Sequence, residues 1–289
     1  LAALALPAGG MGALAAAMAA SAAEGGVVLR QGARVGAILI ESDCACGVRL
    51  SGGEALRAGV VVSAINPRTT FLDLVGPRHL DAGFVPRLRQ VKSRGAAAKL
   101  HLALRAAPDF RGADLKSRLV IAPSLRAVEN AFNVVKYGEV PDRPVLEIIL
   151  PSAHEAGHAP PGQHLLSAIV QFAPHAPRVG PEAARARMLA ATLAVLEDHA
   201  PGIGALITQA ELLMPYDIEA RTGMVGGNWH HGELSVEQML FLRPLPGIAR
   251  YATPIAGLWL AGAGCHPGGG ISGAAGWNAA GRIIAEGRA

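Results

Sequence analysis

The chain has 289 residues, long enough for one large domain or two smaller ones around a sizeable core. Apolar residues make up 51%, charged residues 17% and aromatics 4%, with a formal net charge of +4. So few aromatics, with basic residues scattered, argue against a stacking platform or a polyanion patch, so no nucleic-acid partner is expected. Cys44, Cys46 and Cys265 give no disulfide framework, and Cys44-x-Cys46 has the wrong spacing for a redox or zinc pair. A reducing, cytoplasmic setting is the expectation.

Residues 1–23 carry no charge, yet they lack a basic leader, are broken by Pro7, Gly9 and Gly10, and are dominated by alanine. They do not read as a signal peptide or membrane span. Met11 to Ala23 reads as a helix closed by Gly25-Gly26, and Val27 to Leu29 as a short buried strand. Residues 34–41 and 47–51 suit a hairpin around Ser42-Asp43. The valine-rich run 58–65 suits a strand buried on both faces, closed by Asn66-Pro67.

From about residue 71 the character changes. Strands are expected at 94–105, 145–150, 164–172 and 205–214, and a helix at 124–137. Residues 181–199 form the best helix, with proline at its start and Met188, Leu189, Leu193 and Leu196 along one face. Leu258 to Ala261 reads as a buried strand and residues 270–286 as a closing helix. The expected fold is α/β with an α+β insertion. Residues 1–70 and 251–289 would form parts of one open α/β sheet, and 71–250 an inserted, mixed-sheet domain.

His154-Glu155-Ala-Gly-His158 matches the zinc-protease motif, with His164 where a third ligand would stand. A zinc site needs both histidines on one helical face. Pro151, Gly157 and the run Ala159-Pro-Pro-Gly leave that helix no room, so the segment reads as a polar loop and no metal is expected. Metal analysis would decide against a zinc hydrolase.

The most informative stretch is 257–276, Gly-Leu-Trp-Leu-Ala-Gly-Ala-Gly-Cys-His-Pro-Gly-Gly-Gly-Ile-Ser-Gly-Ala-Ala-Gly. A strand runs through glycines into a helix. Such a junction lets backbone approach a ligand and aims the partial positive charge of a helix start at it, which suits a phosphate or the electron-rich edge of a flavin. Gly262-Ala-Gly264 alone is only part of a dinucleotide fingerprint, because the third glycine and the ribose-binding acid are missing.

Together with Pro7-Ala-Gly-Gly-Met-Gly, Ala58-Gly-Val-Val-Val-Ser-Ala-Ile-Asn-Pro67, Gly226-Gly-Asn-Trp-His-His-Gly-Glu233, Arg243-Pro-Leu-Pro-Gly and Tyr251-Ala-Thr-Pro254, this run resembles the phytoene-desaturase-like oxidoreductases of the amine-oxidase superfamily. The resemblance implies that residues 1–70 and 251–289 are part of an FAD/NAD(P)-binding Rossmann-like domain and 71–250 a substrate domain. It implies an FAD-dependent enzyme that takes a hydride from an apolar or conjugated small molecule, with room for peripheral membrane contact. It implies that Val35 meets the adenine, that Gly262, Ala263 and Gly264 approach the ribityl–pyrophosphate region, and that Gly269, Gly270 and Ile271 open the last helix against the flavin ring. No N-terminal glycine turn is found in residues 1–289. The expectation is therefore the C-terminal portion of a longer enzyme, inactive alone and with uncertain hold on flavin. His231, His266 and Cys265 are candidate substrate-facing residues, each with a packing role as the alternative. Asp217 and Glu233 read as solvated. A non-catalytic binding module similar to Rab GDP-dissociation inhibitors is the alternative function.

Overall fold

The computed structural model describes residues 6–287. The chain divides into two compact units, each assembled from two segments. One holds the described part of Leu1–Arg30 with Ala96–Asp217, and the other holds Gln31–Gly95 with the described part of Ile218–Ala289.

The first unit is built on a five-stranded antiparallel sheet. Its strands are β5 (Ala97–Leu104), β6 (Leu119–Ile121), β7 (Val145–Ile149), β8 (His164–Gln171) and β9 (Ile207–Leu213), in spatial order β6-β7-β8-β5-β9. Alternation sets the buried face: Ala98, Leu100, Leu102 and Leu104 of β5 are all buried, with Lys99 and His101 between them less so. Leu146, Ile148, Leu166 and Ala168 join the same core. The helix Pro181–His199 closes it with Ala184, Met188, Val195 and Leu196, and its bounds match the sequence reading. The helix Leu125–Lys136 begins where Ser124 Oγ accepts the Ala127 N–H, a side-chain N-cap.

The helix Gly10–Glu24 forms from good helix formers, but none of its residues is buried. The N–H of Gly9, just before it, donates to Glu155 Oε2 at 2.7 Å. After it, Val27 to Leu29 form no strand, and Val28 is 83% exposed. An apolar triplet between Gly26 and Arg30 has no neighbouring strand to pair with here.

The second unit carries the hairpin of β1 (Val35–Glu41) and β2 (Cys44–Leu50), with β3 (Ala55–Arg57) added at its edge. Ser42 and Asp43 both adopt positive φ, the backbone of a two-residue turn that follows the strand twist. A separate parallel pair joins β4 (Val61–Ser63) to β10 (Leu258–Leu260). β4 is shorter than the run 58–65 and is not buried on both faces. Val61 and Ser63 point inward while Val62 is 48% exposed. β10 is buried throughout. The core of this unit gathers Phe71, Phe84 and Leu88 with Leu245, Ile248, Trp259 and Ile283.

These units differ from the expected division at 70 and 250. Segments 71–95 and 218–250 pack into the same core as β4 and β10, because Phe71, Phe84, Leu88, Leu245 and Ile248 have their apolar partners there. The segment before Gln31 groups with the five-stranded sheet instead.

The closing helix spans Ala274–Ala285 and starts four residues later than expected. Gly268, Gly270, Ile271 and Gly273 all take positive φ, so the chain between β10 and this helix is an open loop.

Candidate functional site

The glycine loop after β10 and the start of the closing helix line an open cavity of about 180 Å³ within the second unit. Gly262, Ala263, Gly269, Ile271, Ala275 and Gly276 are among its lining residues, and none of the lining residues is charged. Ser272 Oγ accepts the Ala274 N–H at 3.3 Å, and the Trp277 N–H bonds the Gly273 carbonyl at 3.0 Å. The intervening N–H groups of Ala275 and Gly276 belong to the first turn, which has no intrahelical acceptors to offer them. They stand at the cavity with the helix's positive end, in a lining without an acid. That donor set fits an anion or the electron-rich edge of a flavin.

The glycines divide by what a side chain would meet. A Cβ on Gly262 would collide with the Ala64 carbonyl oxygen and lie 2.6 Å from its carbon, and one on Gly264 would lie 2.7 Å from Pro67 Cγ. Gly262 lets the segment after β10 cross the end of β4 at backbone contact, and Gly264 leaves room for the Pro67 ring. Gly270 and Gly273 face open space at positive φ. Of the residues expected at a cofactor, Gly262, Ala263, Gly269 and Ile271 line the cavity, whereas Gly264 and Gly270 are not among its lining. Val35 pairs with Leu50 in the hairpin and does not line it either.

The passage 226–238 is pinned beside this loop by buried polar side chains. Asn228 Oδ1 accepts the His230 N–H at 2.9 Å, and Asn66 Nδ2 donates to the His231 carbonyl at 3.3 Å. Gln238 Nε2 donates to the carbonyls of Lys92 and Glu233. Glu233 is thus held by its backbone in this network, and its N–H donates to the Lys92 carbonyl at 2.8 Å. The His230 ring lies against Gly269, leaving no room there for a Cβ. Trp229 Nε1 donates to His230 Nε2 at 3.2 Å, which assigns the ring proton to Nδ1.

Burial pushes the pKa values of His230 and His231 down, and the Arg243 charge adds to the effect, so both rings are neutral near pH 7. His231 Nδ1 is buried and finds no hydrogen-bond partner among the described residues, and the same holds for His266 Nδ1. His266 is otherwise fixed through its carbonyl, which accepts the Tyr251 hydroxyl at 2.8 Å, and Asn278 Nδ2 donates to that hydroxyl from the closing helix. Cys265 is 1% exposed, and burial pushes its thiol up to about 12. It stays protonated and packs as a small apolar residue.

The residue that sequence reasoning missed is Arg243. It is 2% exposed, and its guanidinium meets the carbonyls of both the 230–238 passage and Ala263. An arginine flanked by Leu242 and Pro244 in an apolar stretch was the available signal.

The His-Glu-x-x-His segment lies in the first unit. Its helix stops at His154, Glu155 is extended, and a separate turn of 3-10 helix covers Ala156–His158. The histidines therefore do not share a helical face. His164 Nδ1 pairs with Ser152 Oγ at 3.2 Å. Among the described residues, no group of three or more His, Cys, Asp or Glu side chains is arranged to hold a metal ion. Asp217, expected to be solvated, instead takes both Arg185 Nη2 at 2.7 Å and the Met214 N–H at 2.9 Å.

The fold is one shared with flavin-dependent oxidoreductases. Residues 2–284 match the model of the flavin containing amine oxidoreductases, and the chain belongs to that family. It is 34% identical over 288 residues to pyridine nucleotide-disulfide oxidoreductase domain-containing protein 2 of Rattus norvegicus, covering 94% of this chain and 49% of that one. It is 31% identical over 279 residues to the phytoene desaturase (neurosporene-forming) of Cereibacter sphaeroides, covering 93% and 51%. The chain spans about half the length of these relatives. An oxidoreductase from Methanosarcina mazei shares the fold at a TM-score of 0.60 and 18% identity, covering 96% of this chain and 54% of that structure. A putrescine oxidase variant does so at 0.57 and 19%, covering 96% and 53%. Among the described residues no helix is long and apolar enough to cross a membrane.

Proposed function

We propose that this chain supplies the glycine-loop side of an FAD site in an oxidoreductase of desaturase or dehydrogenase type, with an apolar or conjugated small molecule as substrate. The observation that carries the reading is the uncharged cavity with the unpaired first-turn N–H groups of Ala275 and Gly276, in a chain of a flavin-containing family.

FAD, when bound, would supply the hydride acceptor, chemistry that no side chain can provide. The residues of this chain would bind, orient and exclude water. Gly262, Ala263 and Gly269 bring backbone to the cofactor, and the helix start favours negative charge there. Removing a hydride and a proton from adjacent carbons leaves a double bond, so a proton acceptor is needed. Neutral His231, whose Nδ1 is buried and unpartnered among the described residues, as are those of His230 and His266, is the candidate to take it. Cys265 packs the loop, and its buried thiol takes no part. Peripheral contact with a membrane would give an apolar substrate its route, and the exposed Leu234, against Gly268 of the glycine loop, and the exposed Val236 and Phe241 are suited to it.

The test is to purify the full-length product that contains this chain and record its visible spectrum. Stoichiometric flavin absorbance, bleached anaerobically by an apolar polyene, is the expected result. A folded, colourless full-length protein refutes the proposal.

A further inference from the structure

Arg243 is a buried cation with no acid beside it among the described residues. Its Nε and Nη2 donate to the Ala263 carbonyl at 3.2 and 2.8 Å. Nη1 donates to the carbonyls of Glu233 and Gln238, each at 3.3 Å. Nη2 also reaches the Gly232 carbonyl at 3.4 Å and the His230 carbonyl. The ion pairs among the described residues include no carboxylate on this guanidinium.

Removing a cation from water is costly, and such groups ordinarily keep an opposite charge beside them. Carbonyl dipoles solvate the guanidinium but leave its unit charge uncancelled. That charge sits directly behind the cavity wall. Ala263 and Gly268 both line the cavity, and a Cβ on Gly268 would lie 3.5 Å from Arg243 Nε. The neighbouring thiol of Cys265 supplies no negative charge at neutral pH, since burial holds it protonated. A negative charge bound in the cavity would face this guanidinium across the wall formed by Ala263 and Gly268.

On the flavin reading of the cavity, we propose that Arg243 is the built-in counter-charge and positioning residue of the site. Its fork holds the 230–238 passage against the glycine loop, and its uncancelled charge stabilises negative charge on a flavin bound in the cavity. The two roles separate chemically. Positioning needs the planar five-donor fork, which lysine lacks, whereas the electrostatic role needs only the charge.

Sulfite reads the electrostatic role without turnover, because it adds to oxidised flavin as an anion and bleaches its absorbance. The full-length flavoenzyme containing this chain is titrated as wild type, Arg243→Met, Arg243→Lys and Leu234→Glu. Leu234 is 52% exposed, and its Cδ2 and Arg243 Nε both come within 3.6 Å of the point a Gly268 Cβ would occupy. A glutamate there brings a carboxylate to the guanidinium without removing it.

Sulfite affinity is expected to fall about tenfold or more in Arg243→Met, as expected for a buried charge acting across a single layer of backbone. A fall of roughly three- to tenfold is expected in Leu234→Glu, and roughly threefold or less in Arg243→Lys. Arg243→Lys nonetheless melts at a lower temperature. If Arg243→Met does not fold, Leu234→Glu decides. A flavin-loaded wild type that takes up no sulfite, or whose affinity survives every variant that folds, overturns the assignment of Arg243 alone. A folded wild type without flavin overturns the flavin reading and this inference together.

Discussion

Replacing Gly262 with alanine places a methyl group on the carbonyl of Ala64, with the Ala64 Cα only 3.1 Å away. Neither side can retreat cheaply. The adjacent Ala261 N–H bonds the Ser63 carbonyl at 2.9 Å, and Leu258 to Leu260 pair in register with Val61 to Ser63. Overpacking against side chains costs about 1–3 kcal/mol, and a backbone obstacle belongs at the upper end, about 3 kcal/mol. For a protein of this size that is a fall of roughly 5 °C in melting temperature. Gly281→Ala is the control. It lies inside the closing helix, a Cβ there meets nothing within 4 Å, and alanine should stabilise by about 0.5–1 kcal/mol. The assay is thermal unfolding of the flavin-free protein followed by circular dichroism. If Gly262→Ala melts within about 1 °C of wild type, the glycine is not required for packing β10 on β4 and its role must be sought in ligand approach alone.

Leu166→Ala, in the fully buried face of β8, should cost about 2–5 kcal/mol in a urea titration, and a loss below about 1 kcal/mol would contradict the packing described for the first unit. Asp217→Ala strips Arg185 and the Met214 N–H of their acceptor and should cost about 1–3 kcal/mol, whereas a solvated Asp217 would give no change. His101, His230 and His231 have pKa values lowered mainly by burial, so the unfolded chain takes up protons first as pH falls below about 6.5. Stability is complete above that pH and is lost on acidification, and His231→Gln should flatten the slope of melting temperature between about pH 7 and 5. An unchanged slope would remove His231 from the account. Cys265 should resist thiol reagents at pH 8 until the protein unfolds, while the half-buried Cys44 and Cys46 react earlier.

Elements defined by local chemistry were legible. Pro181 fixes the start of its helix, Ser42-Asp43 fixes the hairpin turn, and the prolines around His154 to His158 deny the zinc motif its helix. What could not be read depended on partners distant in sequence. Val27 to Leu29 has strand composition but nothing to pair with, and Val62 lies on an exposed face that its valine neighbours conceal. The boundaries between units follow Phe71, Phe84 and Leu245, whose allegiance is set by packing and not by any composition shift. At the site, the glycine loop announced itself, but which glycines serve the ligand and which serve Ala64 or Pro67 is a matter of three-dimensional clearance. Arg243 escaped notice because its acceptors are backbone carbonyls, which carry no sequence signal.

The chain passes between the two units at residues 30–31, 95–96 and 217–218, so each unit is discontinuous. On a ribosome this imposes an order. All five strands of the antiparallel sheet lie between Ala97 and Leu213, in one uninterrupted stretch that can pair as it emerges. β4 is made early but, among the described residues, has its only strand partner in β10, about 200 residues later. Its inward residues, with Phe71, Phe84 and Leu88, must wait unburied until Leu258 to Leu260 arrive. Of the two units, the one carrying the glycine loop is therefore the late folder, and the one most exposed to chaperones and aggregation during synthesis.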